Sequence, residues 1–142
     1  MSAPYISAAL RREVIARAAG CCEYCLTDTQ DRAIDYAIDH VIAVKHGGPT
    51  QLDNLCLSCY GCNSYKGSDL SSVDWDEDAA IIPLFNPRQQ MWNKHFQLDG
   101  VLIVPLTTTG RVTGYLLQLN ASERIKERAL LTELGVYPCK RD

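Results

Sequence analysis

"SCYGCNSYKG", residues 58–67, sets a C-x2-C pair, an asparagine and a lysine within ten positions. A second pair stands upstream in "CCEYC" (21–25), where Cys22 and Cys25 repeat the spacing, with residues 26–58 between the two pairs. A tight turn built on such a pair points backbone N–H groups at sulfur, and four thiolates complete the tetrahedral set of a structural zinc site. The assignment is a Zn2+ held by Cys22, Cys25, Cys59 and Cys62, closed to water and contributing folding energy rather than chemistry. Cys56, Cys59 and Cys62 are evenly spaced, so spacing alone lets any two of them serve.

The whole chain bounds what such a site can belong to. Its 142 residues suit one domain with a modest core, and 46% hydrophobic with 22% charged residues is a globular composition. A formal net charge of −3 excludes a histone-like protein that holds nucleic acid by charge alone. Five acids (Asp69, Asp74, Asp76, Glu77, Asp78) lie in one run, and without them the balance becomes +2, which leaves room for a phosphate-binding face. "MSAPYISAALRREV" meets two arginines before any apolar run, and no segment reaches membrane-spanning length, so a cytoplasmic protein is expected. In that reducing compartment seven cysteines read as metal ligands and spare thiols rather than disulfides, with Cys139, Cys21 and Cys56 as small core residues.

Local patterns place the elements around the cysteines. Ser7 caps a helix through "AALRREVIARAA", with Ile6, Leu10, Val14 and Ala18 on one stripe and Gly20 as the stop. "RAIDYAIDHVIAV" suits a strand, "KHGGPT" is a turn in which His46 belongs to the turn, and "LDNLCLS" is a short second strand or loop before a helix at the second pair. The acidic run at 69–78 reads as a solvated loop. "VLIVPLTTTGRVTGYLLQL" reads as a hairpin turning near Thr109-Gly110, with Pro105 limiting its first strand. "NASERIKERALLTELG" has Asn120 and Glu123 at capping-box spacing and Gly135 as a stop, and its Arg124, Lys126 and Arg128 read as a solvated face. Arg88, Trp92, His95 and Phe96 mix basic and aromatic character as a nucleic-acid face does, but Trp92 and Phe96 at i and i+4 read first as core packing.

Between the cysteine pairs lies "IDHVIAVKHGG", with Asp39 beside His40. A carboxylate suits a magnesium-like ion, and an imidazole is the side chain best poised to take a proton near neutral pH. Fourteen residues on stands Asn54 in "LDNL", and Asn63 follows in "CNSYKG". Asp-His, Asn and Asn in this order, framed by two C-x2-C pairs from about Cys22 to Gly67, resemble the HNH endonuclease family; an asparagine in place of the final histidine is a common variant there.

The resemblance implies an α+β fold: a small zinc-stapled ββα-metal core over about 20–70, an N-terminal helix, and a C-terminal hairpin-plus-helix extension over about 80–142, all one nuclease domain (1–142). It implies that His40 is the general base, that Asn54 holds the loop so that the His40 ring faces the phosphate, and that Asp39 and Asn63 ligate one Mg2+ or Mn2+ for the hydrolysis of DNA. Lys66, three residues past Asn63, reads equally as a phosphate contact and as an ordinary solvated residue at a helix end. A compact domain has little surface for reading a long site, so low specificity is expected, or specificity borrowed from a second copy or a partner protein. The competing reading is an inactive zinc-stabilised module that binds nucleic acid or protein.

Overall fold

The computed structural model describes residues 5–30 and 35–141. Helix α1 spans Ala8–Arg17 and is capped as expected, the Ser7 hydroxyl accepting from the Leu10 N–H at 3.1 Å. Gly20, at φ +73°, takes the left-handed turn that ends it. Val14 and Ala18 are buried, and with Ile6 and Leu10 they pack on Ile38, Leu55 and Leu57.

Those last three residues belong to the central hairpin. Strand β1 (Tyr36–His40) pairs antiparallel with β2 (Leu55–Cys59), with Asp39 opposite Cys56 and His40 opposite Leu55. Every residue of β2 is buried. The strand-like stretch expected from 32 therefore begins at Tyr36 within the described residues, and residues 32–34 lie outside them. Helix α2 (Tyr60–Lys66) leaves β2 directly, with the Cys59 sulfur accepting from the Cys62 N–H at 3.4 Å in place of a hydroxyl cap.

The acidic run is only partly the solvated loop expected: Asp69 and the turn with Asp76, Glu77 and Asp78 are exposed, but Asp74 ends strand β3 (Ser71–Asp74), which pairs with the return strand β4 (Ala80–Pro83). Asp74 is buried and bonded to Arg111, with Oδ2 at 2.7 Å from Nη2, while Asp76 to Glu77 face solvent. One short helix, α3 (Trp92–His95), then leads into the hairpin of β5 (Phe96–Asp99) and β6 (Leu102–Pro105). Trp92 stacks 5.3 Å from Phe96 and donates from Nε1 to the Tyr24 carbonyl, so these aromatics are core.

Pro105 ends β6, but the hairpin expected to turn at Thr109-Gly110 is replaced by helix α4 (Thr108–Leu116). Thr107 supplies its cap to Gly110 N at 3.0 Å, and a Cβ on Gly110 would lie 2.2 Å from the His95 carbonyl, so the glycine serves close packing rather than a turn. Helix α5 (Ser122–Glu133) starts without the expected capping box. Asn120 instead brackets Ile103, accepting from its N–H and donating to its carbonyl. From residue 80 on, the extension holds β4, the β5–β6 hairpin and helices α3 to α5, so the expected hairpin and helix come with one further strand and two further helices.

The cysteines bring a further correction. Cys21 and Cys139 form a disulfide across 118 positions rather than standing as separate core thiols. Beside it the Tyr137 hydroxyl donates to the Cys25 carbonyl at 2.8 Å, and the Cys139 N–H donates to the Leu26 carbonyl. The chain's C-terminal segment is thereby pinned on the first cysteine turn, in a core that joins Cys22, Cys25, Cys59 and Cys62 to Phe85, Phe96, Leu117 and Leu131. Among the described residues no helix is long and apolar enough to cross a membrane.

Candidate functional site

Two clusters sit at opposite ends of α2. At its start the sulfurs of Cys22, Cys25, Cys59 and Cys62 all lie within 4.8 Å of one another, and all four residues are buried. A tetrahedral zinc with bonds of about 2.3 Å sets its sulfurs roughly 3.8 Å apart, and Cys25 and Cys59 stand 3.6 Å apart. Burial pushes the Cys22 and Cys62 thiols up, whereas hydrogen bonds from Cys22 and the other sulfurs hold that of Cys25 down. Four sulfurs packed this way ionise together only around a cation, so the donor set fits zinc. Cys56 is excluded from the cluster: it is buried on β2, 3.7 Å from the Tyr24 hydroxyl and 3.9 Å from Asp39 Oδ2.

Arg124 completes this end, and the reading of α5 as a solvated face missed it. Its Nη2 lies 3.0 Å from the Cys62 sulfur and 3.6 Å from that of Cys59, and Nη1 donates to the Leu117 carbonyl at 2.7 Å. One turn on, Arg128 is buried and caps the carbonyls of Val101 and Leu119. Glu23, between the first two cysteines, accepts from Leu57 N at 2.8 Å and pairs with Arg88, which removes Arg88 from the suggested nucleic-acid face.

The other end of α2 faces the end of β1. Asp39 is buried and turned toward α2, where its Oδ2 meets Lys66 Nζ at 3.1 Å. Burial raises the Asp39 carboxyl, and the Lys66 charge opposes that shift. Lys66 is itself buried and also reaches the carbonyls of His40 (3.4 Å) and Val41 (3.3 Å). This corrects its expected role, because an ammonium enclosed by a carboxylate and two carbonyls is a structural counter-ion and not a surface phosphate contact. Both named contacts of the Asp39 carboxylate use Oδ2.

His40 is half-buried, and its Nε2 lies 2.9 Å from the Thr50 hydroxyl. The loop that carries Thr50 is braced from within. The side-chain amide of Asn54 donates from Nδ2 to the carbonyls of Ile42 and Pro49 and accepts at Oδ1 from Ile42 N, each at 2.9 Å. Gly48 permits this, since a Cβ there would lie 1.7 Å from the Ile42 carbonyl oxygen and 2.9 Å from Asn54 Nδ2. His46 binds the Ser68 carbonyl at 3.1 Å, in keeping with a turn residue. Asn63 lies on α2 one turn before Lys66, partly exposed, and its side chain makes no hydrogen bond to the described residues.

Asp39, His40 and Lys66 are thus brought into contact or near contact, Asn54 serves the loop behind them, and Asn63 lies on the facing helix. The buried Asp39 carboxylate and the partly exposed Asn63 amide oxygen are hard donors suited to an ion such as Mg2+ rather than to zinc. Thr50 and Arg124 were missed by sequence reasoning. Thr50 follows a Gly-Gly-Pro turn with no spacing that singles it out, and Arg124 acts on a cysteine 62 positions away.

Residues 22–69 match the family model described as HNH endonuclease. The match takes in both cysteine pairs, Asp39, His40, Asn54, Asn63 and Lys66, and leaves α1 and α3–α5 outside it. No curated protein and no solved structure matches the chain.

Proposed function

With residues 22–69 forming an HNH endonuclease domain, we propose that the chain is a metal-dependent nuclease of the cytoplasm that hydrolyses phosphodiester bonds of DNA. One observation carries the reading: His40 stands at the rim of a loop braced at both ends by Asn54, next to a carboxylate with an uncommitted oxygen. His40 takes a proton from the attacking water. Asn54 keeps the 41–50 backbone from swinging the imidazole away. Asp39 and the side-chain oxygen of Asn63 would hold one Mg2+ or Mn2+. Such an ion, when bound, supplies Lewis-acid stabilisation to the charge on the phosphate and on the departing 3′ oxygen. The products carry 5′-phosphate and 3′-hydroxyl ends.

Zinc held by the four sulfurs would be closed to water and would tie the turn at Cys22 and Cys25 to the junction of β2 and α2. The extension belongs to the same domain in this reading, because Arg124 and Arg128 of α5 reach the cluster and the β5–β6 hairpin. A compact enzyme of this size takes its specificity from a second copy or a partner protein.

One contact favours a second reading. Lys66 already neutralises Asp39, as it would in an inactive zinc-stabilised module that binds nucleic acid or protein. The two separate on supercoiled plasmid. The nuclease nicks it only with added Mg2+ or Mn2+, and His40→Ala lowers the rate about 10²- to 10⁴-fold while keeping zinc and the circular-dichroism spectrum. Wild type that is as inert as the variant across both ions and across single-stranded DNA and RNA selects the binding module.

A further inference from the structure

A general base must present a lone pair, and in a neutral imidazole only one of the two nitrogens has it. Which one is set by what the other nitrogen touches. In this chain the partner is not a carboxylate but the hydroxyl of Thr50, 2.9 Å from His40 Nε2.

We infer that Thr50 is a positioning residue that holds the His40 proton on Nε2 and leaves the Nδ1 lone pair to the water. The inference rests on the nuclease reading, since it is the proton taken up in that reaction that decides which way the Thr50 contact runs. A hydroxyl can donate or accept, and the sequence of events selects acceptance. Once Nδ1 has taken a proton, both ring nitrogens are donors, and Nε2–H then requires an acceptor. If Thr50 accepts before that step as well, nothing rotates when the proton arrives, which is the advantage of a preorganised site.

The surroundings show a loop built to put that hydroxyl in place. Asn54 Nδ2 holds the Pro49 carbonyl, which belongs to the peptide unit leading directly into Thr50. The same amide holds Ile42 from both sides, two residues beyond the imidazole. Gly48 lets the two strands of the loop approach closer than any Cβ allows. Lys66 binds the His40 carbonyl and helps fix the backbone from which the imidazole hangs. Asn54 therefore sets the distance between residues 42 and 49, and the Thr50–His40 contact follows from it. The ring makes no second hydrogen bond among the described residues, so Nδ1 is the nitrogen left for the reaction.

The test compares the full zinc-loaded chain with Thr50→Val, which keeps the shape and deletes the hydroxyl, and Thr50→Ser, which keeps the hydroxyl. Ring nitrogen shifts of His40 by NMR should report the Nε2–H tautomer in wild type and Thr50→Ser and a mixture in Thr50→Val. Plasmid nicking with Mn2+ should lose about tenfold in kcat in Thr50→Val, with KM unchanged and the loss reversed in Thr50→Ser. An Nδ1–H tautomer in wild type overturns the inference, as does a Thr50→Val variant that keeps the wild-type tautomer or the wild-type kcat. If wild type does not nick at all, the nuclease reading fails, and the NMR arm alone decides whether Thr50 sets the tautomer.

Discussion

The two ends of α2 solve the same electrostatic problem in opposite ways. At the start, four sulfurs are sealed from water and need a cation, and Arg124 adds a second positive charge at their edge. At the end, Asp39 is nearly as well buried, yet its charge is met by a lysine of its own chain, and His40 beside it is half-exposed. A site that must only hold can be closed. The other end leaves one carboxylate oxygen and one ring nitrogen without a hydrogen bond among the described residues, and it lacks the tight cage of the first.

The comparison breaks most visibly at the sulfurs. Cys59→Ala removes both a sulfur of the candidate zinc cluster and the cap of α2, and the chain should lose bound zinc and its cooperative melt by circular dichroism, a loss on the order of 10 kcal/mol. A variant that still melts cooperatively with zinc bound would show that three sulfurs suffice. Next in size is Lys66→Met, which strands the Asp39 carboxylate. Urea unfolding should show a drop of roughly 3–5 kcal/mol, and the double variant with Asp39→Asn should recover much of it. Equal stability of single and double variants would mean the ion pair is not what holds the end of α2.

Smaller effects sharpen the contrast. Arg124→Met should leave the fold intact and hasten zinc transfer to a chelator about tenfold, as loss of a partner beyond the ligands does in other metal sites. Unchanged release would reduce Arg124 to a brace for the Leu117 carbonyl. The least effect is expected at Asp74, far from either cluster. Hydrogen bonds from Arg111 hold its carboxyl below the usual range, although burial pushes the other way. Its folded value lies below its unfolded one, so its contribution is full above the ordinary carboxylate range and fades as pH falls through the folded value. The stability gap between wild type and Arg111→Gln should therefore be present at pH 7 and close in acid; a constant gap would assign the contact to packing.

What could be read in the sequence follows from how local the cause is. Each C-x2-C pair and the Asp39-His40 pair is a local pattern in which residue type and spacing are read together, while Asn54 and Asn63 were picked out by their order within the resemblance. The Ser7 cap and the Gly20 stop are equally local. Residues 101–119 misled because two apolar runs around Thr109-Gly110 look like strands around a turn, while the deciding facts are the Thr107 cap and the approach of Gly110 to the His95 carbonyl. Lys66 sits one helical turn from Asn63, and that spacing suggested a shared outward face; only the packing of α2 on β1 turns it toward Asp39. Asn120 and Arg128 likewise find their partners on the β5–β6 hairpin, which no neighbour in sequence announces.

The Cys21–Cys139 bond gives the chain a property of a different kind. It joins two points 118 residues apart, so nearly the whole protein is a covalent ring with short tails. A protease that cuts the exposed turn between β3 and β4 opens the ring without dividing it. The nicked protein would migrate as one band until a reductant separates two fragments, and the two cysteine turns, the 41–50 loop and α5 would stay tethered until then.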